Sequence, residues 1–258
     1  MNTIKQQFDL SGKVAIVTGS SKGIGKAIAI GLAENGAHVV ISSRNQEACD
    51  AVVEELESKG LKALGVACHI GKEAQRKHLV AQVTSTLGGV DILVNNAAIN
   101  PVFGPIEDAP ETIFDKIMDV NVKAPWMLSN LLLPTMKERG GGSIINIASV
   151  EALTPGMGLG LYSTSKAALV MLTKNQAKEW GKYNVRANAL CPGLIKTKFS
   201  AALWQNEKVL QKIERSLPTG RMGMPEEMEG LVCLLASNAG AYMTGGVYTA
   251  DGGYMIAG

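Results

Sequence analysis

This chain is short of the features that mark several large protein classes. Its 4 cysteines, Cys49, Cys68, Cys191 and Cys233, are scattered, with no Cys-x-x-Cys pair and no His–Cys metal spacing. That pattern excludes a disulfide scaffold and a zinc site and reads as buried thiols in a reducing compartment; no metal is expected. A charge excess of one sign is also missing. The formal net charge is +2 and no basic run exceeds two residues, so no nucleic-acid-binding face is expected. No apolar run reaches membrane-spanning length, and Met1 to Gln7 lacks the apolar core of a signal peptide. The tail Ile256-Ala257-Gly258 is not a peroxisomal tripeptide. A cytoplasmic protein without a membrane partner is expected. There is no repeat, linker or low-complexity segment, and 258 residues suit one undivided domain spanning 1–258. A chain of that size buries about three-quarters of its unfolded surface and needs no staples.

What is present is an alternation of short apolar runs with longer amphipathic ones. Strands are expected at Lys13–Thr18, Ala37–Ser42, Lys62–Cys68, Val90–Asn95, Ser143–Ala148, Asn184–Leu190 and Val247–Ala250. Helices are expected at Lys26–Glu34, Asn45–Lys59, Lys72–Leu87, Asp108–Met118, Lys123–Arg139, Tyr162–Trp180 and Glu226–Ala236, with Asn121 between the fourth and fifth. Strands alternating with helices of ten to fifteen residues imply an α/β fold with a parallel sheet of about seven strands, wound on both faces. Ligands of such sheets bind beyond the carboxyl ends of the strands. Thr18, Arg44, His69, Asn96 and Ser149 all fall there.

The first strand runs directly into Gly19-Ser20-Ser21-Lys22-Gly23-Ile24-Gly25 and then a helix. Strand, glycine-rich turn and helix make a nucleotide cradle, because glycines permit close backbone approach and the helix N-terminus faces a phosphate. The spacing is Gly-x-x-x-Gly-x-Gly rather than Gly-x-Gly-x-x-Gly. At the end of the second strand, where a carboxylate would bind the ribose hydroxyl of NAD, stand Ser43 and Arg44. Arg44, helped by Ser43 and Lys22, suits a 2′-phosphate, and a charge-assisted bond of that kind contributes about 1.5–3 kcal/mol. Charge therefore points to NADP(H). His69 and Ile70, after the third strand, are placed to line an adenine pocket.

A second constellation spans Ser149 to Lys166. Tyr162 and Lys166 are four residues apart and share one helix face. Ser149 closes an apolar strand, and the loop Thr154-Pro155-Gly156-Met157-Gly158 separates it from that helix. A free tyrosine titrates near pH ~10, and working near neutrality requires about 4 kcal/mol favouring the phenolate. One ammonium ~4 Å away supplies roughly that at an effective dielectric near 20. Lys166 is the expected ammonium, and Ser149 the expected hydrogen-bond partner of a carbonyl or alcohol oxygen. The uneven apolar stripe Phe199, Leu203, Trp204, Val209, Leu210 and Ile213 within Lys196–Leu217 reads as a mobile cover over the substrate.

Together these residues resemble the classical short-chain dehydrogenases/reductases over nearly the whole chain, from Lys13 to Gly253. The resemblance rests on Thr-Gly-x-x-x-Gly-x-Gly at Thr18–Gly25, Asn-Asn-Ala at Asn95–Ala97, Asn121, Ser149 with Tyr-x-x-x-Lys, and Pro192-Gly193 with Thr197. In look the chain is nearest the NADPH-dependent carbonyl/retinal-type reductases. The likeness implies a Rossmann-type domain in which Tyr162 gives a proton to the substrate oxygen, Lys166 lowers its pKa and binds the nicotinamide ribose, Ser149 polarises the carbonyl and Asn121 holds a relay water. It implies cofactor contacts at Gly19, Ser21, Lys22, Gly23, Ile24 and Gly25, and at Ile70, Asn96, Ala97, Ala98, Pro192, Gly193, Ile195 and Thr197. Ala98 departs from the glycine common after Asn-Asn-Ala, and His69 from the acidic or amide residue that often caps adenine. The implied activity is reduction of a ketone or aldehyde by NADPH, reversible as alcohol oxidation; the apolar cover helix and the lack of a basic cluster at the cleft point to an uncharged, fairly apolar small-molecule substrate. A 3-oxoacyl-[acyl-carrier-protein] reductase shares every motif, and a non-catalytic NADP-sensing scaffold is the alternative of another class. A homotetramer or dimer is implied, joined through the helices before Gly140 and after Tyr162.

Overall fold

The computed structural model describes residues 3–257. Met1, Asn2 and Gly258, which enter the reading of the termini, and the side chain of Val209 lie outside the described residues. Seven strands, β1 (Val14–Thr18), β2 (His38–Ser42), β3 (Ala63–Gly65), β4 (Ile92–Asn95), β5 (Gly142–Ile147), β6 (Val185–Pro192) and β7 (Val247–Ala250), form one sheet. Every pairing is parallel and the order is β3-β2-β1-β4-β5-β6-β7. The helices are α1 (Ile4–Gln7), α2 (Gly23–Glu34), α3 (Gln46–Ser58), α4 (Glu73–Leu87), α5 (Glu111–Met118), α6 (Ala124–Glu138), α7 (Gly160–Trp180), α8 (Ala201–Trp204), α9 (Glu207–Ser216) and α10 (Glu229–Ala236). This is the expected doubly wound α/β architecture.

The apolar strands read as continuous runs because both faces are covered. Ala15 and Val17 of β1 pack with Ile28 and Leu32 of α2 and Val232 of α10. Their neighbours Val14 and Ile16 pack on the opposite layer with Leu79 of α4 and Leu128 and Leu132 of α6. Each fully buried Ile or Leu of this kind contributes about 1.5–3 kcal/mol. At the amino-terminal edge of the sheet Asp91 is nearly buried and accepts from Val14 N at 2.8 Å, Arg139 Nε at 3.1 Å and Arg139 Nη2 at 2.7 Å. This bidentate pair closes the end of the sheet away from the expected site.

Several boundaries differ from expectation. Strand β3 ends at Gly65 rather than Cys68, although Val66 N still donates to Ile41 O at 3.0 Å and Cys68 N to Ser43 O at 2.7 Å; the Gln46 side chain takes the Ala67 N–H between them at 2.7 Å. Helix α2 begins at Gly23, inside the glycine turn, and α7 at Gly160. Asn121 does not lie in a gap: a π-helical turn, Asp119–Lys123, joins α5 to α6, with Ala124 N bonded to Asp119 O. Such wide turns recur at functional sites. The segment expected to act as a cover forms two helices: Trp204 Nε1 donates to Thr197 O at 2.8 Å and folds α8 back on its loop, while Asn206 Oδ1 accepts from Lys208 N at 3.1 Å at the start of α9.

The strand order reverses between β1 and β4, so a crevice opens beyond their carboxyl ends. Gly25 lines its base, where a Cβ would sit 2.4 Å from Asn96 Nδ2 and 2.6 Å from the backbone oxygen of Gly19. Gly25→Ala is therefore expected to destabilise the fold by about 1–3 kcal/mol and to weaken dinucleotide binding. Chemical denaturation with parallel cofactor titration checks this, and an unchanged variant would refute the close packing.

Candidate active site

The cradle is shaped by backbone needs that only glycine meets. Gly19 and Gly23 have φ of +69° and +56°, in the left-handed region. Lys22 caps α2 without a side-chain hydrogen bond, which leaves the N–H groups of the first turn to a ligand. Ser20, buried, ties the turn to β2: its Oγ donates to Val17 O at 2.6 Å and accepts from Ser42 N at 2.9 Å. Thr197 closes the opposite wall, its methyl 3.4 Å from the position of a Cβ on Gly23.

The segment after β4 crosses the crevice and is pinned at both ends. Thr18 Oγ1 accepts from Asn96 N at 3.0 Å and Ala97 N at 3.1 Å, and Asn96 Nδ2 donates to Thr18 O at 2.8 Å. Three residues on, Ile99 N donates to Asn121 Oδ1 at 2.9 Å, and Asn121 Nδ2 donates to Ile99 O at 2.9 Å and Ser165 Oγ at 3.0 Å. Ser165 lies between Tyr162 and Lys166 in α7, so the glycine turn and that helix are joined through one strap. Both amide hydrogens of Asn121 are engaged, which leaves one lone pair of Oδ1 to receive the water the resemblance implies.

Ser149, Tyr162 and Lys166 converge beyond β5. Tyr162 is half-buried as a whole, with its hydroxyl end deep in the protein, and Lys166 is buried. The Lys166 Nζ donates to Ile147 O at 2.8 Å and stands 5.6 Å from the Tyr162 ring centre. This corrects the expectation that the ammonium acidifies the phenol. Burial pushes the Tyr162 phenol well above its usual value; the Ser149 hydroxyl pulls it partly back, while Glu151 and Cys191 push it up. Burial likewise draws Lys166 down to about 8. Burial is the largest influence on the Tyr162 phenol and favours its protonated form.

Other expected residues take local roles. His69 Nδ1 accepts from Gly71 N at 3.2 Å, bending the segment that carries Ile70. Arg44 and Lys22 are exposed, and neither makes an ion pair or side-chain hydrogen bond with another described residue. Ser43 Oγ donates to Asn45 O at 3.3 Å. Pro192 and Ile195 are buried, and Gly193 packs so closely that a Cβ would lie 2.6 Å from Asp251 Cα. Ser21, Ile24 and Ala98 are half-buried around the crevice. Phe199 lies over the site with its ring 6.2 Å from that of Tyr162.

Residues 19–255 match the family model described as enoyl-(acyl carrier protein) reductase. Dehydrogenase/reductase SDR family member 4 of Oryctolagus cuniculus is 49% identical over 250 residues, covering 97% of this chain and 96% of that protein. The chain belongs to the short-chain dehydrogenase/reductase family. Among solved structures of this family, the gluconate 5-dehydrogenase of Burkholderia cenocepacia J2315 in complex with NADP and tartrate superposes with a TM-score of 0.95 at 32% identity, over 99% of this chain and 100% of that one. A 7α-hydroxysteroid dehydrogenase complexed with NADH and 7-oxo glycochenodeoxycholic acid superposes at 0.93 and 36% identity, over 98% of each chain. The short-chain dehydrogenases/reductases are oxidoreductases, and the cradle here fits a dinucleotide: left-handed glycines, an uncapped helix start and two unpaired cations at its rim.

Sequence reasoning missed Ser20, Ser165 and Glu151. Ser20 and Ser165 are small polar residues whose importance lies in partners 22 and 44 positions away, which no local pattern reveals. Lys166 makes a direct test of the desolvation. An unfolded lysine titrates near 10.5 and the native one at about 8, so the native state binds fewer protons between those values and stability rises with pH across that window. Below about pH 8 both states are protonated and the penalty of burying the ammonium is constant. Relative to Lys166→Met, the wild type is expected to gain about 2–3 kcal/mol of unfolding free energy from pH ~8 to ~10. Urea unfolding across that range measures it, and a flat difference would show a solvated amine.

Proposed function

We propose that the chain reduces a ketone or aldehyde to an alcohol with NADPH, and oxidises the alcohol in reverse, acting as a single nucleotide-binding unit. The observation that carries this reading is the convergence of the Ser149 hydroxyl and Tyr162 phenol, backed by the Lys166 ammonium, at the strand ends beside the glycine cradle. Gly19, Ser21, Gly23, Ile24 and Gly25 would receive the phosphates and ribose, His69 and Ile70 the adenine. Asn96, Ala97, Ala98, Pro192, Gly193, Ile195 and Thr197 would border the nicotinamide, with Tyr162 and Lys166 at its ribose. Bound there, the dinucleotide supplies a hydride for the carbonyl carbon.

The chain's own groups handle the oxygen. Ser149 accepts from Glu151 N at 3.2 Å, so its own O–H is left to donate to the substrate oxygen. Tyr162, held protonated, gives its proton to that oxygen, a general-acid contribution of about 10²–10⁴-fold. The Lys166 ammonium offsets the phenolate left behind, and a water on the free lone pair of Asn121 Oδ1 restores the proton. Phe199 and the short helices α8 and α9 give the mouth an apolar wall, which favours an uncharged substrate.

Arg44 and Lys22 support NADPH over NADH, because both cations lack a protein partner at the rim. One structural neighbour is named with NADP and another with NADH, so the preference proposed here rests on local charge. Self-association into a tetramer or dimer is supported by Trp126 on α6 and Met171 on α7, both exposed apolar side chains. Four buried free thiols support a reducing, cytoplasmic setting.

Two substitutions test the reading. Tyr162→Phe is expected to lower ketone turnover by about 10²–10⁴-fold while NADPH still binds in a titration; persistent turnover would refute the proton-donor role. Arg44→Asp is expected to lower kcat/KM for NADPH by about tenfold or more while sparing NADH. Equal use of both nucleotides by the wild type would remove Arg44 from the phosphate.

A further inference from the structure

We infer that Glu151 is the positioning residue that holds Ser149 and Tyr162 in register, an inference that rests on the carbonyl-reducing reading of the cleft. Glu151 lies in the 3-10 turn Val150–Ala152 immediately after Ser149, and its backbone N–H donates to Ser149 Oγ at 3.2 Å. Its carboxylate reaches the other side of the cleft. Oε2 accepts from Gly156 N at 2.7 Å and from Ser163 Oγ at 2.8 Å. Ser163 is buried and adjoins Tyr162 in α7. Gly156 sits so close that a Cβ there would lie 2.7 Å from Glu151 Oε1. One residue thus links the strand end that carries one hydroxyl, the loop between, and the helix turn that carries the other.

The link is also electrostatic. Ser149 from the end of β5, Glu151 from the turn after it and Cys191 from β6 act on the Tyr162 hydroxyl, and Lys166 from α7 itself stands 5.6 Å from its ring centre. Glu151 is the carboxylate in that set, and a carboxylate beside a phenol disfavours the phenolate. Geometry and charge can be separated, because glutamine keeps an acceptor for Gly156 and Ser163 and loses the charge.

The test is steady-state kinetics with NADPH and a ketone panel, with pH–rate profiles, on the wild type, Glu151→Ala, Glu151→Gln and Ser163→Ala, each checked by circular dichroism. Glu151→Ala is expected to lose about 10²-fold in kcat, the scale of an ångström of misplacement, and Ser163→Ala less. Glu151→Gln should recover most of the rate, but the limb of its profile due to Tyr162 should move to lower pH. If Glu151→Ala does not fold, Glu151→Gln and Ser163→Ala carry the test. Alanine turnover within about twofold of the wild type overturns the inference. So does a glutamine profile that superimposes on the wild type, because a loop latch alone would leave that limb in place. No wild-type turnover on any ketone or aldehyde overturns the carbonyl-reducing reading itself; wild-type turnover with unaltered variants overturns this inference alone.

Discussion

The Thr18 hydroxyl is the hinge of the whole arrangement. By accepting from Asn96 N and Ala97 N while Asn96 returns a bond to Thr18 O, it locks β1 to β4 where the strand order reverses. A crevice at such a point has no strand to fill it, so its width is set by the bonds across its floor. The closeness forces a hydrogen at position 25, and it starts the strap that ends at Asn121 and Ser165. Cradle and acid–base group are thereby built as one rigid piece, and each neutral bond in that strap contributes only about 0.5–1.5 kcal/mol by itself.

Around that frame the balance between attraction and desolvation decides the chemistry. A lysine and a tyrosine brought together in water would favour the ion pair. Buried, both drift toward their neutral forms, and the carbonyl of Ile147 takes the ammonium's hydrogen bond. A phenol that keeps its proton beside an amine still mostly charged near neutrality is the state that the proposed donation to a carbonyl oxygen needs. The same low dielectric that resists ionisation at rest strengthens every stabilising contact once charge appears on the substrate oxygen.

Much of this was legible in the chain. The parallel sheet followed from runs such as Val14–Val17, apolar at every position because each residue has a layer to enter. The cradle followed from glycines placed between a strand and a helix, and Tyr162 with Lys166 from a spacing that one helix face enforces. What the sequence hid were consequences of distance and enclosure. The Lys166 partner is a backbone oxygen 19 positions away, and the π turn at Asn121 exists because that amide must reach Ile99 and Ser165 at once. Gln46 takes the Ala67 N–H through a side-chain bond that strand propensity does not encode, and the Trp204 indole turns α8 back to Thr197.

The clamp of Asp91 and Arg139 sits at the opposite pole of the sheet from the candidate site. Durability and chemistry are thus lodged at separate addresses in the same molecule. The loops over the crevice are free to diverge in length and character without eroding what keeps the strands together, and a scaffold so divided can acquire new substrates by changing its rim while its foundation stays as it is.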